Sequence, residues 1–221
     1  MPNSSQIYVF DTVPALSSSV VSLILESSNL AKNVNRSFTL GLSGGSLASQ
    51  LSTSSAQIKS SDTRHWRILF CDERCVPLDH ADSNCGQFKD VLSEWGVSMD
   101  QVVAINQALV NDAHQAAQDY QLLLQENGEF PRLDVLLLGM GPDGHTCSLF
   151  PNHPLLNDTQ LYVAGITDSP KPPLCRITLT MRALNAARNC VFVAVGASKA
   201  HVLHEMVDEH KDYPSARGIL L

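Results

Sequence analysis

LDVLLLGMGPDGHTCSLFP, residues 133–151, is the stretch from which the fold can be read. Its apolar run, Val135–Leu138, has no polar interruption, the pattern of a strand buried on both faces of a parallel sheet. Behind the run come three glycines, a proline, Asp143 and His145 within seven residues. Glycines allow the sharp reversal that a loop needs at the C-terminal end of such a strand, and open α/β sheets bind ligands at that end. Asp143 and His145 are thus delivered to the place where chemistry is expected.

Gly139, Gly141 and Gly144 spell the GxGxxG of a dinucleotide-binding loop, but the context is wrong. That fingerprint belongs to a first βα unit running into a long helix, with an acid about 20 residues further on. Here the motif comes late, Asp143 would stand where a pyrophosphate needs neutral amides, and Pro151 limits any helix beginning there. A nicotinamide cofactor is not expected.

The length of 221 residues fits one α/β domain, and 44% hydrophobic with 17% charged residues is an ordinary globular composition. No apolar run reaches the 18 or so residues of a membrane span. The start, MPNSSQIYVFD, has neither a basic beginning nor a signal-like apolar segment, so secretion and membrane association are not expected. Six cysteines without a CxxC pair argue against a zinc ribbon or redox dithiol and for reduced thiols. A formal charge of -7 speaks against nucleic acid, so any cations that bind an anionic ligand must be gathered locally.

In chain order, residues 6–10 read as a first strand, followed by a helix with Pro14 in its first turn and a core-facing stripe of Leu16, Val20, Leu23 and Ile24. Residues 38–42 read as a strand running into Ser43, Gly44, Gly45 and Ser46 and then a helix. This strand, glycine turn, helix order suits a phosphate, although SGGS alone is equally an ordinary tight turn. A strand over 66–71 ends in Asp72, Glu73 and Arg74, which can orient a substrate, relay a proton or grip a phosphate, or simply pair with one another. A serine-rich surface loop is expected over 52–61, a short strand over 102–105, and helices over 112–125 and 198–207. Further strands are expected over 161–166, 176–180 and 190–195. In SPKPP, residues 169–173, the prolines restrict the chain around Lys171, and Arg176 follows five residues later. Both cations would otherwise belong to an exposed linker. His201 and His204 share a spacing that could serve a metal, but no third ligand supports one, and an exposed polar face is expected.

LGLSGGS at 40–46, FCDERCVP at 70–77, LLGMGPDGHTCSLFP at 137–151 and SPKPPLCRITLT at 169–180 together resemble the 6-phosphogluconolactonase family, in the family's order. The resemblance implies a Rossmann-like, three-layer α/β fold with an open, mostly parallel sheet, shared with sugar-phosphate deaminases and isomerases. It also implies a cytoplasmic, cofactor-free and metal-free hydrolase, expected as a monomer, acting on a phosphosugar lactone in the oxidative pentose phosphate pathway. Deaminases follow DGH with an apolar residue and an Asn-Glu-Pro segment; here TCSLFP follows, which favours the lactonase branch.

For lactone hydrolysis a positioned water, a base and oxyanion donors are needed. His145 is the natural base. Asp143 and Asp72 are the carboxylates able to orient it or the sugar hydroxyls. Ser43, Gly44, Gly45, Glu73, Arg74, Lys171 and Arg176 are the candidates to hold the substrate's phosphate and carboxyl-derived oxygens. Attack by water is preferred to an acyl-enzyme. One departure is that the family continues beyond the helix near Lys199 with a further strand and helix, whereas this chain ends in SARGILL. The single domain, 1–221, is therefore expected to lack that C-terminal strand and helix. The alternatives to a lactonase are a non-catalytic phosphosugar-binding or regulatory protein and a glucosamine-6-phosphate deaminase-like enzyme.

Overall fold

The computed structural model describes residues 6–217. Its main sheet is parallel throughout, with strands β1 (Phe38–Leu42), β2 (Trp66–Phe70), β4 (Val102–Val103), β5 (Val135–Leu138) and β8 (Asn189–Phe192) in the order β4-β2-β1-β5-β8. A second sheet is antiparallel, β3 (Asp72–Arg74), β7 (Arg176–Leu179) and β6 (Val163–Ile166) in the order β3-β7-β6. Cys71 joins the two. Its amide donates to Leu42 O at 2.9 Å in the parallel sheet, and its carbonyl accepts from Leu179 N at 2.7 Å beside β7.

Strand alternation divides the core. Phe38, Leu40, Leu42, Trp66, Ile68, Phe70, Val135 and Leu137 pack with Val21 and Ile24 of helix α1 (Val13–Asn33). The same layer holds helices α2 (Leu47–Ser52), α3 (Ser55–Lys59) and α4 (Asn84–Glu94). On the opposite face, Leu69, Leu136 and Leu138 pack with Tyr120 and Leu124 of α5 (Ala113–Leu124), with the small sheet, and with Leu184 of α6 (Met181–Ala186). Beyond β8 come α7 (Ala200–Val207) and the short α8 (Pro214–Arg217). The three-layer open sheet is thus the architecture the sequence implies. Gly41 is small for a packing reason, since a Cβ there would lie 2.5 Å from Leu136 Cδ2.

Three expectations are corrected. Residues 6–10 form no strand: Ile7, Tyr8 and Val9 are exposed and pair with no neighbour, so an apolar, β-prone run found no sheet edge. Residues 52–61 are not a plain surface loop. The buried Leu51 and Ile58 anchor α2 and α3 against the core, and α3 occupies the middle of the serine-rich tract. Asp72, Glu73 and Arg74, expected as the end of the strand over 66–71, form a separate strand of the second sheet. Residues 1–5 at the start and 218–221 of SARGILL lie outside the described residues, and so does the expectation about the chain's end. Among the described residues no helix is long and apolar enough to cross a membrane.

Candidate active site

An open cavity of about 200 Å³ lies where the loops after β1 and β5 meet the small sheet. Each wall has a local cause. After β5 the chain reverses through Gly141 N to His145 O (2.8 Å) and Gly144 N to Gly141 O (3.0 Å). A Cβ on Gly141 would lie 2.0 Å from His145 Nδ1 and 2.5 Å from Asp143 Oδ1, so only glycine lets these two side chains fold back over the turn.

His145 Nδ1 is hydrogen bonded to Asp143 Oδ1, and Lys171 Nζ stands 3.3 Å from the same oxygen and 3.2 Å from Nδ1. An ammonium only donates, so Nδ1 cannot both donate to the carboxylate and accept from lysine. Asp143 is the stronger acceptor for both, which fixes the Nδ1–H tautomer. Nε2 keeps its lone pair and has no partner among the described residues. Burial pushes the imidazole below its ordinary 6.5, Asp143 opposes that, and the Lys171 charge reinforces it. For Asp143 burial acts upward, but the hydrogen bond and charge of His145 and the charge of Lys171 outweigh it and hold the carboxyl below its usual range.

The ladder of β3 with β7 places alternate residues on opposite faces. Asp72, Arg74 and Arg176 face the cavity. Asp72, 4% exposed, accepts from Ser148 Oγ at 2.8 Å, and its carbonyl accepts from Asn84 Nδ2 at 2.7 Å. Arg176 is 3% exposed and is held by carbonyls of the proline loop: Nε on Pro173 O (2.9 Å) and Nη2 on Lys171 O (2.8 Å). The stiff SPKPP segment therefore orients Arg176. Arg74 Nη1 donates to Asp82 O at 2.9 Å, while its buried Nε has no partner. Among the described residues neither Arg74 nor Arg176 makes an ion pair, although they sit directly opposite each other in the ladder. Burial lowers the Arg176 pKa first, and the Arg74 charge adds to it. Two adjacent guanidiniums, one nearly sealed from water and neither in an ion pair among the described residues, concentrate positive charge on the cavity wall.

Glu73 lies on the other face. It is 1% exposed, does not line the cavity, and accepts from Asn84 N (2.7 Å) and Cys85 N (2.8 Å) at the start of α4. Its expected substrate contact is corrected to a helix cap. Burial raises its pKa against the pull of those amides. Ser43 N is already committed to Leu137 O at 3.0 Å, whereas among the described residues no acceptor is found for the amides of Gly44 and Gly45. Gly44 must lack a side chain, since a Cβ would fall 1.9 Å from Asn84 Oδ1; Gly45 has φ +77°.

The structure thus gathers His145, Asp143, Lys171, Asp72, Arg74, Arg176 and the residues 43–45 loop. Sequence reasoning missed Lys199, a third cation in the cavity wall, and the supports Asn84 and Ser148. Neither Asn84 nor Lys199 stands in a motif that marks a site, because tertiary folding alone brings them here. His201 and His204 pair instead with Glu205 and Asp208, and no group of three metal-ligating side chains forms among the described residues.

Such a cavity belongs to a class of α/β proteins that gather cationic, carboxylate and histidine side chains at the C-terminal end of a parallel sheet. The chain belongs to the family described as glucosamine-6-phosphate isomerases/6-phosphogluconolactonase, whose model matches residues 11–219. The 6-phosphogluconolactonase of Bos taurus is 40% identical over 222 residues, covering 96% of this chain and 85% of that one. That of Homo sapiens is 45% identical over 185 residues, covering 80% and 71%. The solved 6-phosphogluconolactonase from Trypanosoma cruzi superposes with a TM-score of 0.83 at 28% identity, covering 100% of this chain and 91% of that one. All three carry the lactonase name, and the chain falls in that branch of the family.

Proposed function

We propose that this chain hydrolyses 6-phospho-D-glucono-1,5-lactone to 6-phosphogluconate, the second step of the oxidative pentose phosphate pathway. The observation carrying the reading is the Asp143-oriented His145, with Nε2 free, in the same cavity as the unneutralised Arg74 and Arg176. The guanidinium pair and the amides of Gly44 and Gly45 take the phosphate, and Asp72 accepts from a sugar hydroxyl. His145 Nε2 removes a proton from water as its oxygen attacks C1, and Asp143 stabilises the imidazolium that forms. When the tetrahedral intermediate collapses, the bond from C1 to the ring oxygen breaks and the imidazolium returns its proton to that oxygen. The base is regenerated and the open-chain acid is released. Lys171, beside the dyad, keeps the imidazole neutral before reaction.

In this reading residues 1–221 act as one domain, since both sheets supply the site. A monomer in the cytoplasm goes with it, supported by six free cysteines, which suit a reducing compartment. The test is turnover by the purified chain. Lactone opening well above the spontaneous rate is expected, whereas tight binding of 6-phosphogluconate without acceleration would overturn the proposal in favour of a binding protein.

A further inference from the structure

Beyond the cavity, the ladder of β3 with β7 continues for one pair. The register runs Asp72 with Thr178, Glu73 with Ile177 and Arg74 with Arg176, and Cys75 N then donates to Cys175 O at 3.0 Å. Cys75 and Cys175 therefore stand directly opposite each other. Opposed residues in an antiparallel pair have Cα atoms about 4.5–5.5 Å apart and side chains on the same face, within the roughly 4.4–6.8 Å that a disulfide spans. Both cysteines are half-buried, whereas Cys71, Cys85 and Cys147 are buried. The alternation that turns Arg74 and Arg176 into the cavity turns Cys75 and Cys175 away from it, and Cys75 packs on the core layer under the small sheet.

We propose that Cys75 and Cys175 are a redox modification site, a thiol pair that a low-molecular-weight disulfide such as oxidised glutathione converts to a reversible cross-strand bridge. The Cys175 thiolate attacks the oxidant, forming a mixed disulfide and releasing one reduced thiol. Cys75 then loses its proton, attacks the Cys175 sulfur and expels the second reduced thiol. Two protein thiols are oxidised and one disulfide is reduced to two thiols. Burial pushes the Cys75 thiol up, so it resolves the intermediate slowly and the bridge answers sustained oxidation and not brief exposure. Closure would staple the strands at the point where both arginines enter the cavity and would fix the foot of the SPKPP loop.

The test is incubation of the full chain with oxidised glutathione, followed by alkylation, digestion and mass spectrometry. A peptide containing Cys75 should appear joined to one containing Cys175, with two of the six thiols lost. The thermal midpoint should rise by about 5 °C or more and fall back with dithiothreitol, because a bridge across so long a loop restricts the unfolded chain. Cys75→Ser should instead carry a stable glutathione adduct on Cys175 with no such rise. Cys175→Ser provides the reciprocal variant if the first folds poorly. Persistence of both thiols as alkylatable groups, a separate adduct on each, or linkage through any other cysteine would overturn the proposal.

Discussion

Each end of the parallel sheet holds a buried carboxylate near two arginines, and the two ends use them in opposite ways. At the strands' N-terminal ends Asp134, 2% exposed, is gripped by Arg36 at 2.7 Å and Arg188 at 3.2 Å. It also accepts from Thr39 N at 3.0 Å and Thr39 Oγ1 at 3.1 Å. There the charges are spent on one another, and the network ties β1 to β5 and to the start of β8. At the C-terminal ends Asp72 is held by neutral donors, Ser148 and Asn84, and Arg74 and Arg176 make no ion pair among the described residues. A buried cation left without an anion is costly, so an end built that way is shaped for a ligand that brings the missing charge. The composition is nearly the same at both ends; what separates structure from function is whether the charges are satisfied within the fold.

The largest expected effect tests the functional end at its base. His145→Ala should lower kcat by about 10²- to 10⁴-fold with the thermal midpoint little changed, as loss of a general base would. If kcat stays near normal in steady-state assays, the base lies elsewhere and Asp72 becomes the next carboxylate to test. The mirror experiment is Asp134→Ala, which leaves two guanidiniums and two Thr39 donors without their acceptor. About 3 kcal/mol of stability should be lost in urea denaturation, with kcat/KM per folded molecule unchanged. Activity lost without stability would erase the distinction between the two ends.

A smaller effect is expected from Arg176→Ala. A charge-assisted contact is worth roughly 1.5–3 kcal/mol, so KM for the phosphorylated lactone should rise about tenfold or more. Hydrolysis of unphosphorylated gluconolactone is the control: equal damage to both substrates would place Arg176 in the chemistry or the fold and not at the phosphate.

The buried strands of the parallel sheet and the glycine turns behind them were the legible part. Val135–Leu138 is a continuous apolar run and Phe38–Leu42 a short, mainly apolar one, both reading as strands, and the glycines after them declare tight turns. Asp143 and His145 were visible because they sit inside such a turn. The roles within Asp72, Glu73 and Arg74 were not, since which of two adjacent carboxylates faces the cavity depends on β3 leaving the parallel sheet to pair with β7, some 100 residues away. Residues 6–10 failed for the converse reason: β-propensity describes a fit to a half-buried surface, and no such surface is offered to them. Lys171 was read as a candidate to hold the substrate, and its place beside Asp143 Oδ1 (3.3 Å) and His145 Nδ1 (3.2 Å) carried no signal in the sequence.

That last placement yields the finest test of the two-ended scheme. At the structural end a lysine near a carboxylate would simply neutralise it, whereas Lys171 at the functional end also acts on the imidazole. Its positive charge disfavours the imidazolium directly, and by sharing Asp143 it weakens the carboxylate's support for that charged form. Both effects lower the His145 pKa. The base works only when neutral, so kcat/KM of the wild-type chain should be flat at neutral pH and fall as pH drops through a value below 6.5, the ordinary imidazole pKa. Lys171→Ala removes both effects, so its acid limb should move to higher pH, leaving a variant that loses little at pH 8 and more near pH 6. A profile lowered in parallel at every pH, for phosphorylated substrate only, would return Lys171 to the phosphate and leave the tuning of His145 to burial alone.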